Sequence, residues 1–245
     1  MKSELARAGA GRLWLPTLIT LLGLAVLVAL GTWQLQRKQW KEGLQKLIDE
    51  RARAEPLEFA KVRAEPRYGN NLEYLRIRVR GRFLNERERH VFTSVNGQAG
   101  FLVYTPLMTS DRWLVLVNRG FVPQALKDAD KRKDGQPPGE VELVGLARTP
   151  GKRAWFTPAH DDVRNIFFWA DYAAMLRGIP EMERGGVVAA PFLLDAELKP
   201  PNPGGWPRGG ATLLSLPNRH LEYALTWYGL ALTLLAVYAI YMVNA

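Results

Sequence analysis

Cysteine is absent from all 245 residues, which removes disulfides, thiolate metal sites and thiol catalysis together. The absence is compatible with an oxidising compartment, and it excludes a copper carrier built on paired cysteines. Histidine is scarce, so imidazole chemistry rests on His90, His160 or His220. Four serines (Ser3, Ser94, Ser110, Ser215) have no nucleophile-elbow context, and neither an HExxH pair nor a P-loop spacing occurs. No internal repeat is present. Two long stretches lack charge altogether: Leu13 to Gln36 and Tyr223 to Val243 contain no Asp, Glu, Lys or Arg.

These runs, 24 and 21 residues long, can each cross a hydrocarbon core of ~30 Å at ~1.5 Å per helical residue. The first is longer than the ~7–15-residue apolar region of a signal peptide and leads into Trp33, Gln34 and Gln36 rather than a cleavage site. It therefore reads as a retained anchor. Only 12 residues precede it, Glu4 among them, a poor mitochondrial transit peptide, so a bacterial membrane protein is expected. The net charge of +9 is spread along a tethered domain, which favours anionic lipid headgroups over nucleic acid as partner. Charge counting leaves orientation open. Lys2, Arg7 and Arg12 precede the first run and Arg37, Lys38, Lys41, Lys46, Arg51 and Arg53 follow it, but the rule holds for loops under ~60 residues and this one has 186.

The chain then divides into a tail (1–12), a first span (13–36), an amphipathic helical extension (37–55), a β-rich domain (56–217), a second span (218–243) and a two-residue end (244–245). In the extension Trp33, Trp40, Leu44, Leu47 and Ile48 share one stripe, and Pro56 and Pro66 break the helical pattern. From Leu75 to Phe83 apolar residues and glycine alternate with Arg76, Arg78, Arg80 and Arg82, as in a half-buried strand. Further strands are expected at 90–95, 101–108, 112–120, 140–148 and 191–197, with a short helix at 171–177. An antiparallel sandwich or barrel between two spans, α+β in class, follows. The stretches 127–139 and 199–210 read as flexible loops, too rich in Pro, Gly and charge to pack.

Among the histidines, His90 heads a strand and reads as structural. His160, in TPAHDD beside Asp161 and Asp162, could be a base oriented by a carboxylate in a membrane-tethered hydrolase, although an ordinary loop accounts for it as well. His220 begins a helical face. At 100° per residue, His220, Ala224, Trp227, Ala231, Leu234 and Tyr238 fall within about 40° of one line, with Tyr223 at its edge. Imidazole, flat aromatic walls and an alanine groove at the interface suit a haem-like disc, and Arg219 and Arg208 are the nearest cations for its propionates. The same small and aromatic residues also make ordinary helix contacts, with Gly23 and Ala29 of the first span available to meet them. Arg219 and Glu222 read as a solvated pair.

The motifs GTWQLQRKQWK (31–41), GFLVYTPL (100–107), LVNRGFVP (116–123), VELVGLARTP (141–150) and PNRHLEYALTWYGLA (217–231) resemble, in order, those of the Surfeit locus protein 1 family. LVNRG alone could be a strand ending in a tight turn, and Phe121 stands where the family usually has Trp. The resemblance implies an assembly factor, not an enzyme, for haem–copper cytochrome c oxidase, in the bacterial inner membrane. Both termini would be cytoplasmic and the 56–217 domain periplasmic. It further implies binding of haem a through His220, with Tyr223, Trp227, Ala231 and Arg219 around it, and insertion of that haem into oxidase subunit I. Haem a synthase and membrane lipids are the other partners, and no nucleic acid is expected. The rival within this reading is a scaffold that holds the subunit I intermediate without touching haem, using the Arg76/Arg78/Arg80/Arg82 face.

Overall fold

The computed structural model describes the backbone of residues 2–65, 71–210, 212 and 216–244, with side chains from residue 13 onward. In chain order the elements are α1 (Lys2–Arg53), β1 (Leu57–Glu58), α2 (Phe59–Ala64), β2 (Arg76–Phe83), β3 (Arg89–Val95), β4 (Gln98–Met108) and β5 (Trp113–Pro123). They continue with β6 (Glu140–Arg148), β7 (Ile166–Phe167), α3 (Tyr172–Leu176), α4 (Pro180–Glu183), β8 (Val188–Ala196) and α5 (His220–Asn244). Two compact units result, Met1–Leu47 with Ser215–Ala245, and Ile48–Leu214. Pro66 lies outside the described residues.

In the first unit, α1 and α5 are both long and apolar enough to cross a membrane, with mean hydropathies of 2.4 and 1.6 over their best windows. Only 6% of each window is buried, which separates them from the core helices of a soluble protein. Side chains such as Leu22, Val26, Leu232 and Ile240 face outward and need apolar surroundings. α1 runs 52 residues through Pro16 and past residue 36 without a break, so first span and amphipathic extension are one helix.

In the second unit the sheet order is β1–β2–β6–β8–β5–β4–β3–β7, and β2 also pairs with β4 (Arg82 opposite Met108, Phe83 opposite Leu107). That pairing closes β2, β6, β8, β5 and β4 into a barrel-like ring around Ile77, Val79, Leu107, Val115, Val117 and Leu194. The alternation expected in β2 is present, with Ile77, Val79, Gly81 and Phe83 inward. The sheet is mixed rather than wholly antiparallel, because β5 pairs with β8, β1 with β2 and β3 with β7 in parallel.

Three of the four outward arginines of β2 are paired with carboxylates of the same domain. Arg76 forks onto Glu197 (2.6 and 2.9 Å), Arg78 meets Glu58 (3.1 Å) and Glu142 (3.4 Å), and Arg80 meets Glu142 (2.5 Å). Most of the basic face expected of a scaffold is thus a ladder of internal ion pairs, with Arg82 exposed and without a carboxylate partner among the described residues.

Two expectations fail for one reason, the burial of charge. β5 does not turn at Asn118–Gly120 but continues to Pro123 through a bulge in which Val103 faces Gly120 and Tyr104 faces Asn118, leaving Arg119 as the extra residue. Gly120 has φ +115°, and a Cβ there would fall on the carbonyl oxygen of Arg208. The bulge sends Arg119 inward, 1% exposed, towards Glu88 (3.7 Å) and over the Phe83 ring (4.6 Å). From the stretch 127–139, read as too polar to pack, Arg132 is also buried and binds Glu88 through both terminal nitrogens (3.0 and 2.5 Å). Stretch 199–210 packs too: Asn202 accepts from Arg119, Pro207 is buried, and Arg208 bridges to Phe121.

Burial alone would raise the Glu88 carboxyl. The His90 imidazole 3.7 Å away, the Arg132 fork and charge, and Gln136 (2.9 Å) outweigh it and bring it from 4.5 down to about 2. A depressed carboxylate contributes stability that is complete above its unfolded value and lost as pH falls towards its folded one. Thermal melts followed by circular dichroism should therefore show stability falling between pH 4.5 and about 2. Glu88→Gln should cost on the order of 3 kcal/mol at neutral pH and flatten that acid limb, because two guanidinium groups then lie buried without an anion.

Candidate functional site

The face that begins at His220 is spaced 4-3-4-3-4, the a/d pattern of a helix seam. Ala224 and Ala231 on it are buried, His220, Trp227, Leu234 and Tyr238 are half-buried, and Tyr223 stands 53% exposed beside it. What it meets is α1, running antiparallel. Tyr238 and Thr17 share a hydroxyl hydrogen bond (2.5 Å), Tyr228 and Thr32 another (3.1 Å), and Leu234 lies against Gly23. The alanines let α1 come close, so the lower part of the expected groove is helix packing.

At the upper end the contacts become polar. Lys41 donates to the Pro217 carbonyl (2.7 Å), the Leu216 N–H to Gln45 (2.9 Å), and Asn218 to the Lys38 carbonyl (3.4 Å). These bonds strap the entry of α5 onto α1 and hold His220 where its Nδ1 meets Oε1 of Gln34 at 2.6 Å. A carbonyl oxygen can only accept, so Nδ1 carries the proton and the Nε2 lone pair is left free. Second-neighbour bonding of this kind is how proteins aim a ligating imidazole. Two turns further on, the indole Nε1 of Trp227 is buried with no hydrogen-bond partner among the described groups. Arg219 is 73% exposed and forks onto Glu222 (3.0 and 2.8 Å), the solvated pair that the spacing implied.

The other two histidines are occupied. His160 stacks on Trp169 (centroids 3.8 Å apart), its Nδ1 accepts from the Phe168 N–H (3.3 Å), and its Nε2 faces Asp171 (3.4 Å). The carboxylate beside it is Asp171, which also caps α3, rather than Asp161 or Asp162. His90 belongs to the Glu88 cluster, where its Nδ1 accepts from Asn165 (3.2 Å). Among the described residues no group of three His, Cys, Asp or Glu side chains could hold a metal ion.

Gln34 is a site residue that the spacing of α5 alone does not reveal. Its sequence signal is an amide in the last turn of an otherwise apolar run, which is costly and asks for a partner. The Glu88 cluster has a weaker signal, since LVNRG reads equally well as a strand ending in a turn.

A seam of two apolar helices, a proton-fixed histidine at its mouth and a closed barrel carried between the helices in the chain define a two-span membrane protein with an extramembrane barrel domain. The chain belongs to the SURF1 family, whose model matches residues 21–232 and whose members are known as cytochrome c oxidase assembly factors. Surfeit locus protein 1 of Rattus norvegicus is 35% identical over 222 residues, covering 84% of this chain and 69% of that protein. The Homo sapiens protein is 36% identical over 219 residues (82% and 69%), and the SURF1-like protein of Monosiga brevicollis 34% identical over 246 residues (95% and 88%).

Replacing Gln34 by Leu should release the imidazole into a mixture of tautomers. Nitrogen chemical shifts of His220 in ¹⁵N-histidine-labelled protein would report it, with a single Nδ1–H form expected in the parent chain.

Proposed function

We propose that this chain is a non-enzymatic assembly factor for haem–copper cytochrome c oxidase that binds haem a through His220 and helps to place it in oxidase subunit I. The observation that carries the reading is the His220–Gln34 hydrogen bond, which presents the Nε2 lone pair at the mouth of the helix seam. The residues present fit the group. Nε2 would hold the iron, the unpartnered indole N–H of Trp227 would meet an acceptor on the ring edge, and the exposed Tyr223 would add an aromatic wall. Arg219, at the water boundary, would face a propionate, at the cost of its bond to Glu222. Ala231 acts at a remove, by letting the helices close.

Haem a bound there would supply an iron centre for the imidazole to hold, and everything else rests on the chain's own groups. One ligand held in one tautomer suits capture followed by release. The reading places the protein in a bacterial inner membrane, termini in the cytoplasm and barrel in the periplasm, beside haem a synthase, subunit I and membrane lipids.

The test is the absorption spectrum of the protein purified from cells that also make haem a, beside His220→Ala at equal yield. A reduced haem a band in the parent and its loss in the variant, with insertion and melting unchanged, is the expected result. Colourless protein in both, still bringing subunit I with it, would instead identify a scaffold.

A further inference from the structure

The stretches 100–107 and 116–123 carry much of the family resemblance, yet the proposed function does not use them. They converge where Leu102 of β4 faces Phe121 of β5, which in turn bridges to Arg208. Gly100 lies alongside, and a Cβ there would come 2.5 Å from the Phe121 ring, so only its absence lets that ring lie across the strand. A cavity of about 580 Å³ opens beside this crossing, within the size range of small-molecule sites. Leu102, Phe121, Leu198 and Trp206 give it apolar and aromatic walls, and no lining residue is acidic. Its one cation is Arg208, exposed, lying over the Trp206 ring (5.3 Å) and without a carboxylate partner among the described residues.

Aromatic walls favour a flat apolar body, and an unpaired guanidinium favours a carboxylate at its edge. No His, Met or Cys lines the cavity, so a ligand would be held by its body and acid and not by a metal. We propose that this groove is a second binding site, for a flat apolar molecule bearing a carboxylate, with the porphyrin body as the ligand class. The choice of porphyrin rests on the proposed function, and the groove's chemistry does not. A site without an iron ligand would hold such a molecule more loosely than the one at His220.

Protoporphyrin IX, which has no metal, separates the two sites. Because the chain has no cysteine, Ser94→Cys on the groove's rim can carry a single fluorophore in the full-length protein in lipid nanodiscs. Saturable quenching by protoporphyrin IX is expected, unchanged by His220→Ala. Arg208→Gln should weaken it by about tenfold or more, the loss of one charge-assisted hydrogen bond. Leu198→Glu, which sets a like charge before the ligand's acid, should weaken it as well. Quenching that never saturates, that survives both groove variants, or that disappears in His220→Ala would overturn the proposal. Displacement of the porphyrin by anionic phospholipid, tested by repeating the titration with and without phosphatidylglycerol, would overturn the porphyrin assignment in favour of a lipid. If the parent protein takes up no haem a yet binds protoporphyrin IX here, the His220 reading fails and the groove stands.

Discussion

A cluster of one carboxylate, Glu88, and two guanidinium groups, Arg119 and Arg132, is buried in the barrel domain, and several of its irregular features satisfy it. Glu88 binds Arg132 directly and draws Arg119 out of the regular strand pattern. The bulge that frees Arg119 turns its neighbour Asn118 the other way, so that its amide donates to Asp195 (2.9 Å) and its carbonyl oxygen accepts from the Gly120 N–H (3.1 Å). Burial pushes the Asp195 carboxyl up, against Thr212, Asn118 and Arg148, and pushes Arg119 down to about 10, which leaves it charged at neutral pH. The segment carrying Arg132 and the loop carrying Asn202 are pinned by the same charges. A buried ionic group is a weak source of net stability, but its geometric demands are strict, and here they set the path of three connections.

The regular parts of this architecture were legible in the residues because each follows a short-range rule. Both spans follow from length and lack of charge, and β2 and β6 from alternation and bounding turns. The face of α5 follows from a 100° step. What could not be read depends on partners far away in the chain. That 127–139 packs is visible only once Arg132 has met Glu88, 44 positions away. That β5 runs through Asn-Arg-Gly depends on the same meeting. For the candidate site, the periodicity found the residues of the seam but not what fills it. Small and aromatic side chains serve equally to receive a ligand and to receive a helix, and only the position of α1 separates the upper end, where Gln34 and His220 meet, from the lower end.

The helix pair shows why that upper end is chemically different. Along the seam the polar contacts are hydroxyl pairs between Thr and Tyr, neutral and self-contained. Above them come amide, lysine and histidine groups. In an apolar medium an unsatisfied donor is expensive, so the buried indole N–H of Trp227 and the free Nε2 of His220 contrast with the Thr–Tyr hydroxyl pairs, which satisfy each other.

The order of strands in the ring also dictates an order of assembly. The β3–β4 and β4–β5 hairpins join neighbours in the chain and can form as they emerge, but β8 has to enter between β5 and β6. Without it the ring is open. β8 ends at Ala196, only 24 positions before α5 begins at His220. The domain therefore cannot complete itself during synthesis until β8, the last strand before α5, has been made. Until then the unpaired sides of β5 and β6 are exposed, an interval in which a chaperone would find something to hold.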